Sequence, residues 1–187
     1  HCIHLIETDI QLFKDTGARI SLNPLSNAKL GNHMPPVLGI IDQVENVGIG
    51  TDGPASNNTL DLFDTIRFLA LYYKGFYHDP TLVKAEQVFR LATIGGEKAV
   101  NWKGIGSLEP NTFADIVTIN LKKPHLTPND TDDAILNHFA YSMKGNDVEN
   151  VIIDGKIVFE KRSYVGQNVD EVMAKVEQIA QRLLSND

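Results

Sequence analysis

Two short apolar runs, ARISLNP at 18–24 and ENVGIG at 45–50, are separated by about twenty residues and followed by strongly helical segments. Strand, helix, strand, helix is the pattern of a parallel sheet with crossover helices. Yet the first hundred residues hold only two or three strands. Two parallel strands can neither bury both of their faces nor close a barrel. This half of the chain is therefore expected to be part of a larger α/β unit. The chain starts at His1 rather than at a methionine, so it is also expected to be processed, cleaved or incompletely recorded.

Local signals fill in the rest. ETDIQLFKDTG predicts a short helix capped by Thr8 or Asp9, with Ile10, Leu12 and Phe13 on its apolar side and Gly17 as its stop. SNAKLGNHMPPV at 26–37 is polar and punctuated by Gly and Pro, so it reads as loop, with a turn of helix over 38–43. In NTLDLFDTIRFLALYYKG, the residues Leu62, Phe63, Ile66, Leu69, Ala70 and Tyr73 recur at helical spacing. Ser56-Asn57-Asn58-Thr59 reads as the cap of that helix. TLVKAEQVFRLATIGGEKAV predicts a further helix, broken at Gly95-Gly96.

Character changes near Gly104. Val117, Ile119 and Leu121 alternate with Thr118 and Asn120, as in a half-buried strand. Asp154-Gly155 between two β-rich runs marks a hairpin. Val169, Val172, Met173, Val176, Ile179, Ala180 and Leu183 line one face of a tail helix.

Composition narrows the function classes. A net charge of -7 over 187 residues leaves no electrostatic footprint for nucleic acid or for an anionic membrane surface. No apolar run nears the roughly 20 residues of a membrane span, and no signal-peptide pattern is present. The single cysteine, Cys2, excludes an intramolecular disulfide framework and fits a reducing compartment. A cytoplasmic protein is expected. No G-x-S-x-G, P-loop, dinucleotide fingerprint or C-x-x-C occurs, which removes the common hydrolase, NTPase and dehydrogenase readings.

Asp52 is the sharpest candidate for chemistry. It follows an apolar strand and lies between Gly50 and Gly53. Ligands of α/β sheets bind at the carboxyl ends of strands, where glycines let backbone approach closely. A carboxylate there can bind a metal or take a proton from a metal-activated water. T-D-G is equally ordinary turn chemistry, and pattern alone favours the turn. His1 and His4 are three apart, a spacing that suits one helical face but not one strand face. Three or four zinc ligands cannot be assembled from spacing alone. Cys2 reads as a small buried residue. Asn23, Ser26, Asn27 and Lys29 either contact a polar substrate or serve turn chemistry, and His33 in the same loop could cover a pocket. His78 is expected to be exposed, and His125 and His138 to pack or hydrogen-bond.

In order, HCIHL, SLNPLSNAKLGNHMPPV, GTDGPASNNTLDLFDTIR, GIGSLEPNTFADIVTINLKKPHLTP and DVENVIIDGKIVFE resemble the C-terminal half of the amidohydrolase superfamily. The branch most similar is that of the methylthioadenosine/S-adenosylhomocysteine deaminases and their chlorohydrolase relatives. The resemblance implies an α/β fold: the C-terminal part of a metal-dependent (β/α)8 TIM-type barrel plus part of a small β-sandwich. On that template, residues 1–103 are the last strands and helices of the barrel, with HCIHL, SLNP and GIGTDG as strands six, seven and eight. Residues 104–165 are a share of the sandwich, and 166–187 the tail helix.

The resemblance also implies hydrolytic deamination of an adenine nucleoside such as methylthioadenosine or S-adenosylhomocysteine. One divalent ion, expected to be zinc, brings the pKa of its water toward neutrality, and ammonia leaves the purine carbon. Asp52 then matches the strand-eight aspartate that ligates the metal and shuttles the proton. His1 matches the strand-six histidine that hydrogen-bonds the attacking water or substrate. No substrate-binding residue is assigned. The family's H-x-H pair, its strand-five histidine and the following glutamate have no counterpart in these residues. The chain alone is therefore expected to be inactive, completed either by an N-terminal half or as a homo-oligomer. Two alternatives stay open: a chlorohydrolase or triazine-type aminohydrolase, and a non-catalytic binding module.

Overall fold

β1 (Ile20–Leu22) and β2 (Val47–Ile49) lie side by side and parallel in the computed structural model, which describes residues 1–185. Ile20 pairs with Val47 and Leu22 with Ile49, and all four side chains are buried. That is the double-sided burial that marks parallel sheet. Residues 1–6, expected as the end of a strand, form none: they carry a turn, and no ladder partner for them exists among the described residues. A strand is defined by its neighbour, so HCIHL has extended-type sequence without a ladder to join.

Helices pack around this pair. α1 (Glu7–Thr16) is capped from within, because the Asp9 carboxylate accepts the Ile6 amide at 3.0 Å, and Gly17 ends the helix at φ 66°. The cap residue is thus Ile6, neither Thr8 nor Asp9. Ile10 is buried and Phe13 half-buried, whereas Leu12 faces solvent. α2 (Pro24–Lys29) occupies the first part of the stretch expected to be loop. Proline fits the opening turn of a helix, where its missing N–H costs nothing, and that signal outweighs the polar character of Ser26, Asn27 and Lys29. α3 (Val37–Gln43) buries Val37 and Ile40.

After β2 comes a single turn, α4 (Pro54–Asn57), and then α5 (Leu62–Tyr77). α5 buries Ile66, Leu69, Ala70 and Tyr73 on one stripe, together with Thr65. Its cap is Asp61, which accepts the Phe63 amide at 2.9 Å; the SNNT stretch belongs to α4 and the link that follows. α6 (Ala85–Ala92) and α7 (Ile94–Val100) are separated at Thr93, not at Gly95-Gly96. Gly95 has a different task. It presses α7 onto β2 so closely that a Cβ there would lie 2.4 Å from the Val47 carbonyl oxygen.

The second region is antiparallel. β3 (Ile116–Ile119), β4 (Val148–Ile153), β5 (Lys156–Glu160) and β6 (Ser163–Tyr164) form one sheet in that order. Asp154 and Gly155, at φ 50° and 72°, make the two-residue hairpin expected between β4 and β5. Val117 is exposed, against the half-buried reading, while its neighbours Ile116 and Ile119 are partly covered. α8 (Asp132–Tyr141) crosses between the regions. Its Phe139 ring meets Phe63 of α5 and Phe89 of α6 edge-on, with centroids 5.5 and 4.9 Å away. Arg67 of α5 donates to the carbonyls of Tyr141, at 2.9 Å, and of Met143. The tail helix, α9 (Val169–Leu184), has the expected apolar stripe, but none of its residues is buried. Among the described residues no helix is long and apolar enough to cross a membrane.

Asp147, just before β4, is the most buried carboxylate of this region, 3% exposed. It accepts from Lys123 Nζ at 2.7 Å, from His125 Nε2 at 3.0 Å and from the Lys144 amide at 2.9 Å. Burial pushes its carboxyl up, but the hydrogen bonds from His125, Lys123 and Lys144 outweigh it and bring the pKa down from 3.8 to about 2. A carboxyl lowered by folding contributes stability above its unfolded pKa, and that contribution fades as pH falls through the folded one. The urea midpoint is therefore expected to drop between about pH 4 and pH 2. Asp147→Asn should lower the midpoint at neutral pH and flatten that stretch of the curve.

Candidate active site

Asp52 lies three residues beyond the end of β2, with its backbone at φ 61°, a left-handed conformation that aspartate tolerates better than most residues. The turn folds its carboxylate back toward the carboxyl edge of the sheet. Oδ1 accepts the Gly53 amide at 2.8 Å. Oδ2 accepts the hydroxyls of Ser26, in α2, and Ser56, in α4, each at 2.7 Å. A turn alone would explain the first bond but not the other two. These hydrogen bonds, Ser26 first, then Ser56 and Gly53, hold the carboxyl below its ordinary value against a weaker effect of burial. Asp52 is thus ionised at neutral pH.

His1 joins the same cluster. Its Nε2 is 3.6 Å from Asp52 Oδ2 and its Nδ1 is 2.6 Å from Asn27 Oδ1. Asn27 is fully buried in α2, as is Ser26. Both bridges, His1 to Asn27 and Ser26 to Asp52, span 26 residues. That offset is about the length of one strand–helix unit, so the cluster draws on corresponding positions of successive units. The recurring polar residues just past each apolar run are the sequence signal that could have identified Ser26 and Asn27 as partners. Ser56 could have been found from its position four residues after Asp52.

The surrounding loops are braced. Just past β2, a Cβ on Gly50 would meet Asn23 Oδ1 at 2.7 Å, so a larger residue there would push that side chain aside. Asn57 donates from Nδ2 to the Thr51 carbonyl at 2.7 Å. Lys29 Nζ donates to the Ala55 carbonyl at 3.1 Å and to Asn58 Oδ1, which ties α2 to α4. Asn23 Nδ2 donates to the Ser21 carbonyl and its Oδ1 accepts the Ser21 hydroxyl, each at 3.3 Å, so Lys29 and Asn23 are both bonded within the protein.

The remaining histidines stand apart. His4 and His33 are exposed and meet edge-on, ring centroids 5.9 Å apart. His78 is exposed, His125 serves Asp147, and His138 Nε2 donates to the Pro128 carbonyl at 2.7 Å. Cys2 is half-buried against the core.

Carboxylate and imidazole are donors that zinc accepts, but a catalytic zinc takes three protein ligands beside its water. Among the described residues no three of His, Cys, Asp or Glu converge. Asp52 and His1 fit such a site by chemistry and fall short of it in number.

A carboxylate and an imidazole gathered by hydroxyls at the carboxyl ends of parallel strands define the class of α/β proteins whose sites sit at strand ends. Within that class the match is specific: residues 1–158 fit the profile of the Amidohydrolase family, and the chain belongs to that family. It is 38% identical over its whole length to a 5-methylthioadenosine/S-adenosylhomocysteine deaminase of Caldanaerobacter subterraneus, covering 43% of that protein. It is 40% identical to a 5'-deoxyadenosine deaminase of Methanocaldococcus jannaschii, over 99% of this chain and 43% of the relative. Its fold superposes on the crystal structure of an adenosine deaminase from Xanthomonas campestris with bound zinc. The TM-score is 0.92 at 31% identity, over 99% of this chain and 42% of that one. The chain thus spans less than half the length of the curated relatives it matches.

Proposed function

We propose that the chain is the C-terminal portion of a metal-dependent aminohydrolase that releases ammonia from an adenine nucleoside such as methylthioadenosine or S-adenosylhomocysteine. The observation that carries this reading is the ionised Asp52, held by Ser26, Ser56 and Gly53 beside His1, in a chain whose relatives are adenine-nucleoside deaminases by name. On this reading Asp52 is a metal ligand, and the other donors come from residues outside these 187. The ion, zinc by analogy with the Xanthomonas structure, would supply an activated water at neutral pH.

Two residues of this chain take part beside it. Asp52, an acceptor at pH 7, takes a proton and returns it to the departing nitrogen. His1 orients the water or the purine ring through Nε2. Residues 1–103 serve as the closing strands and helices of a (β/α)8 barrel, 104–165 as a share of a β-sandwich and 166–187 as its tail helix. The protein would act in the cytoplasm, where the free thiol of Cys2 stays reduced.

Ammonia release from methylthioadenosine, S-adenosylhomocysteine, adenosine and a chlorinated triazine, in the presence of zinc, tests the reading. The complete polypeptide is expected to turn over one of the three nucleosides, and these 187 residues alone to turn over none. Turnover of the triazine but of no nucleoside would move the protein to the chlorohydrolase branch. No turnover by the zinc-loaded complete polypeptide would overturn the aminohydrolase reading.

A further inference from the structure

We propose that Asn27 is a positioning residue that fixes His1 as the Nδ1–H tautomer, so that Nε2 faces Asp52 as a lone-pair acceptor. The catalytic consequence rests on the aminohydrolase reading above; the tautomer does not. Asn27 Oδ1 lies 2.6 Å from His1 Nδ1. An amide oxygen can only accept, so Nδ1 donates. A neutral imidazole has one proton to place, and Nε2 is left without it. Nε2 stands 3.6 Å from Asp52 Oδ2, too far for a hydrogen bond, and that oxygen already accepts two hydroxyls.

The anchor is stiff. Asn27 is fully buried, its amide donates to the Asn23 carbonyl at 3.1 Å, and its carbonyl accepts the Asn32 amide at 2.9 Å. The other end of its side chain makes a second argument. Nδ2 is buried and has no partner among the described residues, an arrangement that destabilises the fold. An apolar side chain there would leave no orphaned donor. The side chain is therefore explained by its oxygen, and among the described residues the one side chain that oxygen bonds is His1. The same logic orients metal-bound and catalytic histidines elsewhere: the nitrogen away from the reaction is tied down, and the tie decides which nitrogen works.

The test uses the complete polypeptide with zinc and three variants. Nitrogen-15 spectra of imidazole-labelled protein in mildly alkaline buffer report the tautomer, and His1→Gln identifies the His1 signals by difference. The wild type is expected to carry its proton on Nδ1. Asn27→Leu, which removes the acceptor and the orphaned donor together but overfills the buried site, should still fold, with a lower Tm, and lose the tautomer preference. Its kcat should fall about 10–100-fold, with KM changed less than about twofold because substrate contacts stay in place. Asn27→Asp, which restores an acceptor in the same place, should recover the tautomer and most of kcat. A purely packing role predicts that kcat follows Tm in both variants while the wild-type tautomer is kept. An Nε2–H tautomer in the wild type, or a leucine variant with wild-type spectrum and kcat, overturns the proposal. A wild type that deaminates nothing sinks the functional reading while the spectrum still decides the tautomer.

Discussion

Asp52→Asn is expected to lower kcat/KM of the complete polypeptide at least about 1000-fold. Asparagine is the right replacement because it keeps the shape and tolerates the left-handed backbone at φ 61°. The variant should therefore fold. What it loses is specific. Oδ2 accepts from Ser26 and Ser56, and Oδ1 from Gly53, so all three of these hydrogen bonds use it as an acceptor. An amide nitrogen in the Oδ2 corner obliges the Ser26 and Ser56 hydroxyls to turn and accept, and the amide carries no negative charge and cannot take up a proton. On the proposed reading it weakens the metal site and stops the proton transfer together. Steady-state kinetics on the favoured nucleoside, paired with zinc content per polypeptide, separate the two losses. Activity within tenfold of wild type would show that Asp52 is a turn residue after all.

Two adjacent glycines should respond with opposite signs. Gly95→Ala is expected to destabilise the fold by about 3 kcal/mol, the upper end of what overpacking costs. Its Cβ would lie 2.4 Å from the Val47 carbonyl oxygen and 3.0 Å from that of Arg90. Both are backbone atoms, and Val47 belongs to the strand that leads to Asp52, so relief comes only by moving β2 off α7. Gly96 has nothing within 4 Å of the same hypothetical atom. Gly96→Ala should stabilise α7 by up to about 1 kcal/mol, the difference in helix propensity. Urea unfolding of the two variants checks the pair. Equal responses would mean that α7 does not rest on β2 as closely as described.

These glycines also show where sequence reading stopped. Gly-Gly in a helical run reads as a break, because glycine is costly in a helix and permissive outside one. The helix instead breaks at Thr93, and Gly95 is small because a strand lies beneath it. Nothing within a few residues of Gly95 announces that strand. Ser26 and Asn27 read as loop for a related reason: they are polar because they face a buried cluster, not because they face water.

What the sequence determined by itself was everything encoded by near neighbours. The apolar stripe of α5, the stop at Gly17, the Asp154-Gly155 hairpin and the place of Asp52 after an apolar strand follow from periods and turn chemistry within a few residues. The order of the segments along the chain was enough to suggest the family. The tertiary structure alone decided the convergence of His1, Ser26, Asn27, Asp52 and Ser56. Those residues are up to 55 positions apart in sequence, counted from His1 to Ser56. Ser26, Asn27, Asp52 and Ser56 meet because β1 and β2 run parallel, which brings the segments after successive strands to the same edge of the sheet, and the His1–Asn27 bond adds the imidazole. Strand direction and register are properties of pairing, and a local pattern carries no record of the partner.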